Sequence, residues 1–337
     1  MALPNAHLRI VWAVDPSEKN ESALHHRARK VIRRLLFHGS DSVIEPVYVF
    51  RLSTTISADI GAAWRHEAIA AAEDSLHRFV IHSKIPGLST PKVLVSSSST
   101  HHRAVTHLCE YAERVSADLI VAQTHGRKGF GRFVLGSFAE TILHHSKTPV
   151  LLVNPRTRIH RTFGNILFPT DFSTTAANQF RDVLDLAARF GSKITLLHAT
   201  ESLNEALVLS ESAGPLPILS ENLAHQAARA IRHANAWSKI GRDHGVEIEF
   251  ILRERVRKPD DDIVRTARRI DADLIVMQTN AGSVGAALLG SVTRQVVRKS
   301  PCPVWVLKSS PHHPNEQRMP PSPGLRPEAP LEPNPRP

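Results

Sequence analysis

The sequence states one pattern twice. ADLIVAQT at residues 117–124 returns as ADLIVMQT at 272–279, a step of 155 residues. LGS at 135–137 returns at 289–291, and TPV at 148–150 returns as CPV at 302–304, each a step of 154. Chance does not align a strand-like run, a Gly-Ser turn and a second strand-like run twice in the same order. The period is far longer than the roughly 20–50 residues of solenoid repeats, so the chain is a duplicated domain. Whatever fold it adopts must close within about half the chain, and must do so twice.

Composition narrows the class. A length of 337 residues agrees with two domains, and 42 % apolar residues with an ordinary globular protein whose halves each bury a core. The early apolar run Leu8–Val14 is broken by Asp15 and Pro16, too short for a signal core or a membrane span. The two cysteines, Cys109 and Cys302, occupy non-equivalent places in the repeats, which implies neither a disulfide framework nor a metal knuckle. A cytoplasmic protein without membrane attachment is expected. The net charge is +10, and the tail contributes none of it, with Arg318, Arg326 and Arg336 set against Glu316, Glu328 and Glu332. Because the remaining Lys and Arg are interspersed with Asp and Glu along helices, a solvated basic surface is expected rather than a nucleic-acid footprint.

Apolar runs alternate with helical periodicity throughout. Strands are expected at Leu8–Val14, Val43–Phe50, Lys92–Ser96, Asp118–Ala122 and Val150–Val153, and again at Ile166–Phe168, Ile194–Ala199, Val246–Glu254, Asp273–Met277 and Val304–Leu307. Helices fall between them, one of them over about Glu221–His244 after a loop Thr200–Pro217. Near-continuous apolar strands alternating with helices indicate parallel sheets covered on both faces. The expected architecture is α/β: two tandem doubly wound, five-stranded, Rossmann-like sandwiches over residues 6–155 and 160–308, followed by a disordered Pro-rich tail over 309–337. Ligands in such sheets lie beyond the carboxyl ends of the strands, at the switch point. Asp15 and Asp171, after the first strands, should therefore face the loops after the fourth strands.

In the first half that loop holds Gln123, Gly126 and, nine residues later, Gly136 and Ser137 opening a helix. Glycine lets backbone amides approach a phosphate, and a helix N-terminus adds unpaired N–H groups and the positive end of its dipole. Arg127, Lys128 and Arg132 add charge. The same residues also suit a Gly-rich turn with Ser137 as an ordinary N-cap. No Walker loop and no GxGxxG follow a strand.

Here the segment ADLIVAQTHGRKGFGRFVLGSFAETILHHSKTPVLLV resembles the carboxyl half of a universal stress protein domain, and NILFPTDFS resembles that family's opening strand. The resemblance covers both repeats and excludes the tail. It implies adenine nucleotide as ligand, ATP with accompanying Mg²⁺, bound as a regulatory signal in a stress response. Gly126, Gly136 and Ser137 match the family's phosphate-loop positions, with Arg127 beside them. Val14 and Asp15 match the residues at the adenosine part, and Val43 the second-strand residue beside the base. Gln123 stands where the first glycine is expected, and could donate a hydrogen bond there. In the second half Thr170 and Asp171 match well, but Gln278 and Ala281 replace both glycines and only eight residues precede Gly290 and Ser291. The first half is favoured for phosphate. The alternatives are a scaffold of the same fold that has lost its ligand and serves an unidentified protein partner, or a weak nucleotide hydrolase, for which Asp15 and Asp171 are the metal-binding candidates.

Other features have ordinary readings: surface histidines at His101, His102 and His107, dipole-complementing His144 and His145, and N-terminal carboxylates at Asp260–Asp262. The last strands, Val150–Val153 and Val304–Leu307, are apolar on both faces yet belong at sheet edges, where bare apolar edges pair. In the resembling family this strand forms a dimer contact. The two halves are therefore expected to pair through these strands within one chain, with assembly of chains into a homodimer left open.

Overall fold

The computed structural model describes residues 8–16, 23–37, 42–52, 61–96, 100–124, 136–158, 162–200, 216–254, 256, 258–278 and 290–308. The first half runs β1 (Arg9–Ala13), α1 (Ala23–Phe37), β2 (Val43–Arg51), α2 (Gly61–Ser83), β3 (Lys92–Ser96), α3 (His101–Arg114), β4 (Leu119–Gln123), α4 (Ser137–His145) and β5 (Val150–Val153). The second runs β6 (Asn165–Pro169), α5 (Thr174–Phe190), β7 (Lys193–Ala199), α6 (Leu216–Asp243), β8 (Ile248–Arg253), α7 (Pro259–Arg269), β9 (Leu274–Gln278), α8 (Ser291–Lys299) and β10 (Val304–Leu307).

All ten strands join one sheet in the order β3-β2-β1-β4-β5-β10-β9-β6-β7-β8. Within each half the pairing is parallel, and chain order reverses between β1 and β4 and between β6 and β9, the doubly wound arrangement expected. The halves meet at an antiparallel seam, where Leu152, Leu151 and Val150 lie opposite Val304, Trp305 and Val306. The central strands are buried throughout, as their sequences LIVAQ, VLLV and VWVL require. Two apolar layers cover the sheet, and each crosses the seam. One holds Trp12, Phe79, Phe168, Phe180 and Trp237 under α1, α2, α5 and α6. The other holds Leu108, Leu143, Ile263 and Val297 under α3, α4, α7 and α8.

Helix ends follow local chemistry. Ser173 caps α5, its side chain accepting from Ala176 N, and Gly191 ends that helix at φ 62°, a conformation that favours glycine. The helix expected from Glu221 begins earlier, at Leu216. Pro217 had suggested a loop, but proline is tolerated in a first turn, where its missing N–H has no partner to lose.

The seam carries an exchange of caps that obeys the repeat. Asn154, just past β5, donates through Nδ2 to Val297 O at 2.9 Å and Ser300 O at 3.1 Å, at the end of α8 in the other half. Its counterpart Lys308, just past β10, donates through Nζ to Leu143 O of α4. Leu143 and Val297 are themselves repeat equivalents. Glu140 and Arg294, again equivalents, face each other as an ion pair at 3.1 Å. Two like halves paired this way would set Glu against Glu or Arg against Arg, so these residues suit only the mixed pair.

Lys308 is 5 % exposed, and burial pushes its amine down to about 8. Below pH 8 folded and unfolded chains both carry the proton, so stability is flat. Between about 8 and the usual 10.5 only the unfolded chain carries it, so stability rises with pH, by on the order of 3 kcal/mol. The buried Cys109 and Cys302 thiols, pushed up to about 12, act in the opposite sense above pH 9, so the rise is read as the difference between the urea midpoints of wild type and Lys308→Met from pH 7 to 11. A rise of the same size in the variant would place the titration elsewhere.

Candidate functional site

The crevice of the first half forms where β1 and β4 lie side by side and their chains leave the sheet in different directions. Val14 N bonds Val47 O and Thr124 N bonds Val153 O, both at 2.9 Å, so the strand ends are held by their outer neighbours. Val14 is buried, and Asp15 stands half-buried at the mouth. Burial, and then the nearby Asp15 carboxylate, raises the Tyr48 hydroxyl above its ordinary value.

Val43 does not belong to this mouth. It pairs with Arg9 at the opposite, amino edge of the sheet and is 42 % exposed. Arg9 and Asp15 lie six residue steps apart along extended chain, roughly 20 Å. β2 is nine residues long and starts level with the shorter β1, so its carboxyl half, not its first valine, reaches the crevice. Tyr48 and Val49 hold that place, and matching strands by their carboxyl ends would have found them.

Gln123 is also turned elsewhere. Its Nε2 donates to His25 Nδ1 at 3.1 Å, inside the core beneath α1. Both residues are at most 5 % exposed, and the His25 ring meets Phe79 edge-on at 5.3 Å. Gln123 Oε1 is buried without a hydrogen-bond partner among the described residues. The side chain therefore braces α1 against the end of β4. A nucleotide would meet the backbone there, not this amide.

Gly126 and Arg127 lie outside the described residues, as does Ala281. The description resumes at Gly136, which is itself the N-cap of α4 at φ −62°, ψ 146°, and Ser137 is the first helical residue. Ser137 is therefore not the N-cap. The cap residue has no side chain to bond the first N–H groups, in contrast to Ser173 on α5. Ser137 is exposed beside them. Gly290 and Ser291 repeat this arrangement on α8, with Gly290 at φ −57°, ψ 145°.

The second crevice differs at its opening turn. Thr170 Oγ1 accepts from Phe172 N at 3.0 Å and Asp171 Oδ1 from Ser173 N at 2.9 Å, so both side chains serve the turn itself. Phe172 sits at φ 56°, and its ring packs against His198, His233, Trp237 and Phe250 with centroids 5.0–6.0 Å away. Phe180, one repeat step from His25, stacks on Trp237 at 4.1 Å. By repeat position an aromatic ring thus replaces the imidazole of the first half, and Gln278 Nε2 is buried without a hydrogen-bond partner among the described residues.

Neither cysteine is equipped as a nucleophile, since burial pushes both the Cys109 and Cys302 thiols up to about 12. The histidines at α3 and α4 meet as rings, His102 edge-on to His145 at 4.5 Å. The Asp260–Asp262 run ties helices together: Asp260 and Asp261 each take Lys299 Nζ at 2.7 Å, and Asp262 lies 3.4 Å from Arg265. Among the described residues no helix is long and apolar enough to cross a membrane.

Two doubly wound halves of one sheet, each with an acidic residue beyond its first strand and a Gly-capped helix after its fourth, define a tandem α/β protein with a crevice per half. The family model described as the universal stress protein family matches residues 7–154 and again 162–308, and the chain belongs to that family. A universal stress protein of Methanocaldococcus jannaschii is 29 % identical over 148 residues, covering 43 % of this chain and 82 % of that one. One from Thermus aquaticus is 31 % identical over 148 residues, covering 43 % of this chain and 99 % of that one. Among solved structures, a universal stress protein from Archaeoglobus fulgidus aligns over 89 % of this chain and 96 % of its own, with TM-score 0.56 and 21 % identity. That likeness concerns the fold, and it spans both halves.

Proposed function

We propose that this protein binds an adenine nucleotide, ATP with its Mg²⁺, in the first-half crevice as a regulatory ligand of a stress response. The observation that carries the reading is the Gly136 N-cap of α4, whose first-turn N–H groups have no side-chain cap and whose neighbour Ser137 is exposed. Such an end suits a phosphate group through its N–H groups and dipole. Asp15, with Val14 behind it, is suited to the ribose, and Tyr48 and Val49 to the base. Gly126 and Arg127 would complete the phosphate loop by their family positions. The second crevice is the weaker candidate, because Thr170 and Asp171 serve their own turn and no Lys or Arg lies between Gln278 and Ser291. Its Gly290 and Ser291 retain the helix end alone.

Nothing in the described crevice pairs a nucleophile with a base, so binding rather than turnover is the expected activity. To test the base preference, the protein is incubated with equal ATP, GTP, CTP and UTP, freed of unbound ligand, denatured and analysed by mass spectrometry. Adenine nucleotide near one per chain is expected. Retention of no nucleotide, or of all four equally, would overturn the reading and favour the ligand-free scaffold.

A further inference from the structure

A second charged feature lies far from that crevice. A cleft of about 350 Å³ opens between α1 and the carboxyl end of α2, lined by His26, Arg29, Lys30, Arg33, His82, Ser83 and Lys84. Among the described residues no carboxylate lines it. We propose that this cleft binds a small anion carrying two or more phosphate groups, independently of the nucleotide crevice.

The sequence of α1, ALHHRARKVIRRLLF, has five Arg or Lys and no acidic residue in 15 positions. Its repeat counterpart α5 balances Arg181 and Arg189 with Asp182 and Asp185. The two helices bury equivalent faces: Leu24, His25, Ala28, Val31 and Leu35 correspond to Gln179, Phe180, Val183, Leu186 and Phe190. Packing therefore does not explain the charge at Lys30 and Arg33, which lie on the outer face, while Arg29 stands half-buried where α5 buries Leu184. His26, Arg29, Lys30 and Arg33 follow the spacing of one helical strip, where like charges three and four apart destabilise the helix. Burial, followed by Lys30, Arg29, Arg27 and Arg33, lowers the pKa of His26.

Capping explains part of the cluster. Arg29 Nη1 donates to His82 O at 3.4 Å, and Arg33 Nη2 to Ser83 O at 3.5 Å and Lys84 O at 3.0 Å. These bonds satisfy carbonyls at the end of α2 and fix the guanidinium groups at the cleft wall. A guanidinium has five donors in a fork suited to phosphate, and Arg33 uses one nitrogen on these carbonyls. Capping gives no role to Lys30 or Lys84, neither of which meets a carboxylate among the described residues. Lys84 ends α2 at φ 50°, a left-handed residue on the wall opposite α1. The volume lies within the range of small-ligand sites. The cleft is at the amino edge of the sheet, where α2 ends before β3, whereas nucleotide is expected at the carboxyl edge.

The test is calorimetric titration of the full chain with inorganic tripolyphosphate at physiological salt. Saturable binding to the cleft is expected in Gly136→Val, where the α4 helix end is blocked, as well as in wild type. Lys30→Glu combined with Lys84→Glu should weaken it at least about tenfold, with ATP affinity and the far-ultraviolet spectrum unchanged. Both residues are exposed, so the substitutions leave the core alone. Loss of tripolyphosphate binding in Gly136→Val but not in the double variant would move the site to the nucleotide crevice and overturn the proposal. So would no saturation in wild type, or displacement by duplex DNA at equal phosphate concentration, which would mark a nucleic-acid surface instead.

Discussion

Lysine at Leu152 or at Val306 is expected to destabilise the whole protein by about 3–5 kcal/mol. Leu152 is 1 % exposed and Val306 0 %, and they sit on the two strands of the antiparallel seam. An ammonium at either position would have no acidic partner in the layer they share with Leu143, Val150, Val297 and Val304. Both apolar layers cross this seam, so the damage should reach both halves. Urea unfolding followed by tryptophan fluorescence would read it, since Trp305 lies in the seam and Trp12 and Trp237 report on the first and second halves. The expected record is a lower midpoint, with the single transition separating into two. Leu152→Met, which nearly conserves volume, should cost less than about 1.5 kcal/mol. If the lysine variants unfold within about 1 kcal/mol of wild type, the strands are solvent-facing edges and the halves are independent bodies on a linker.

The parts legible in the sequence were those written in periodicity. The repeat step, the apolar strands and the bare last edges led to the doubly wound halves and to the pairing of β5 with β10. Proline misled at the start of α6, because Pro217 reads as a breaker until its first-turn position is known. Val43 was misplaced because a strand sequence shows its residues but not how far it extends past its neighbour. The His25–Gln123 bond joins residues 98 positions apart and could not be read from either segment. Nor could the exchange of Asn154 and Lys308, although the repeat contains its clue: two non-equivalent polar residues at equivalent positions after the last strands. Gly136 and Ser137 were singled out as a pair opening a helix, but which of them caps it depends on where the backbone turns.

The same helix end gives the second large effect. Gly136 has φ −62° and ψ 146°, angles that valine adopts readily, so Gly136→Val should fold normally. Its branched side chain would stand at the N-terminus of α4, between the first-turn N–H groups and an arriving phosphate. Losing one charge-assisted hydrogen bond costs about 1.5–3 kcal/mol, or roughly 10- to 150-fold in affinity. Gly290 has nearly the same geometry, with nothing within 4 Å of an added Cβ, and provides a matched control in the second half.

The measurement that bears most directly on the proposed site is therefore ATP titration of three proteins: wild type, Gly136→Val and Gly290→Val. The expected result is one site per chain in wild type, affinity reduced by the stated factor in Gly136→Val, and no change in Gly290→Val. Undiminished ATP affinity in Gly136→Val would contradict the first-half site, and loss in Gly290→Val alone would transfer it to the second half.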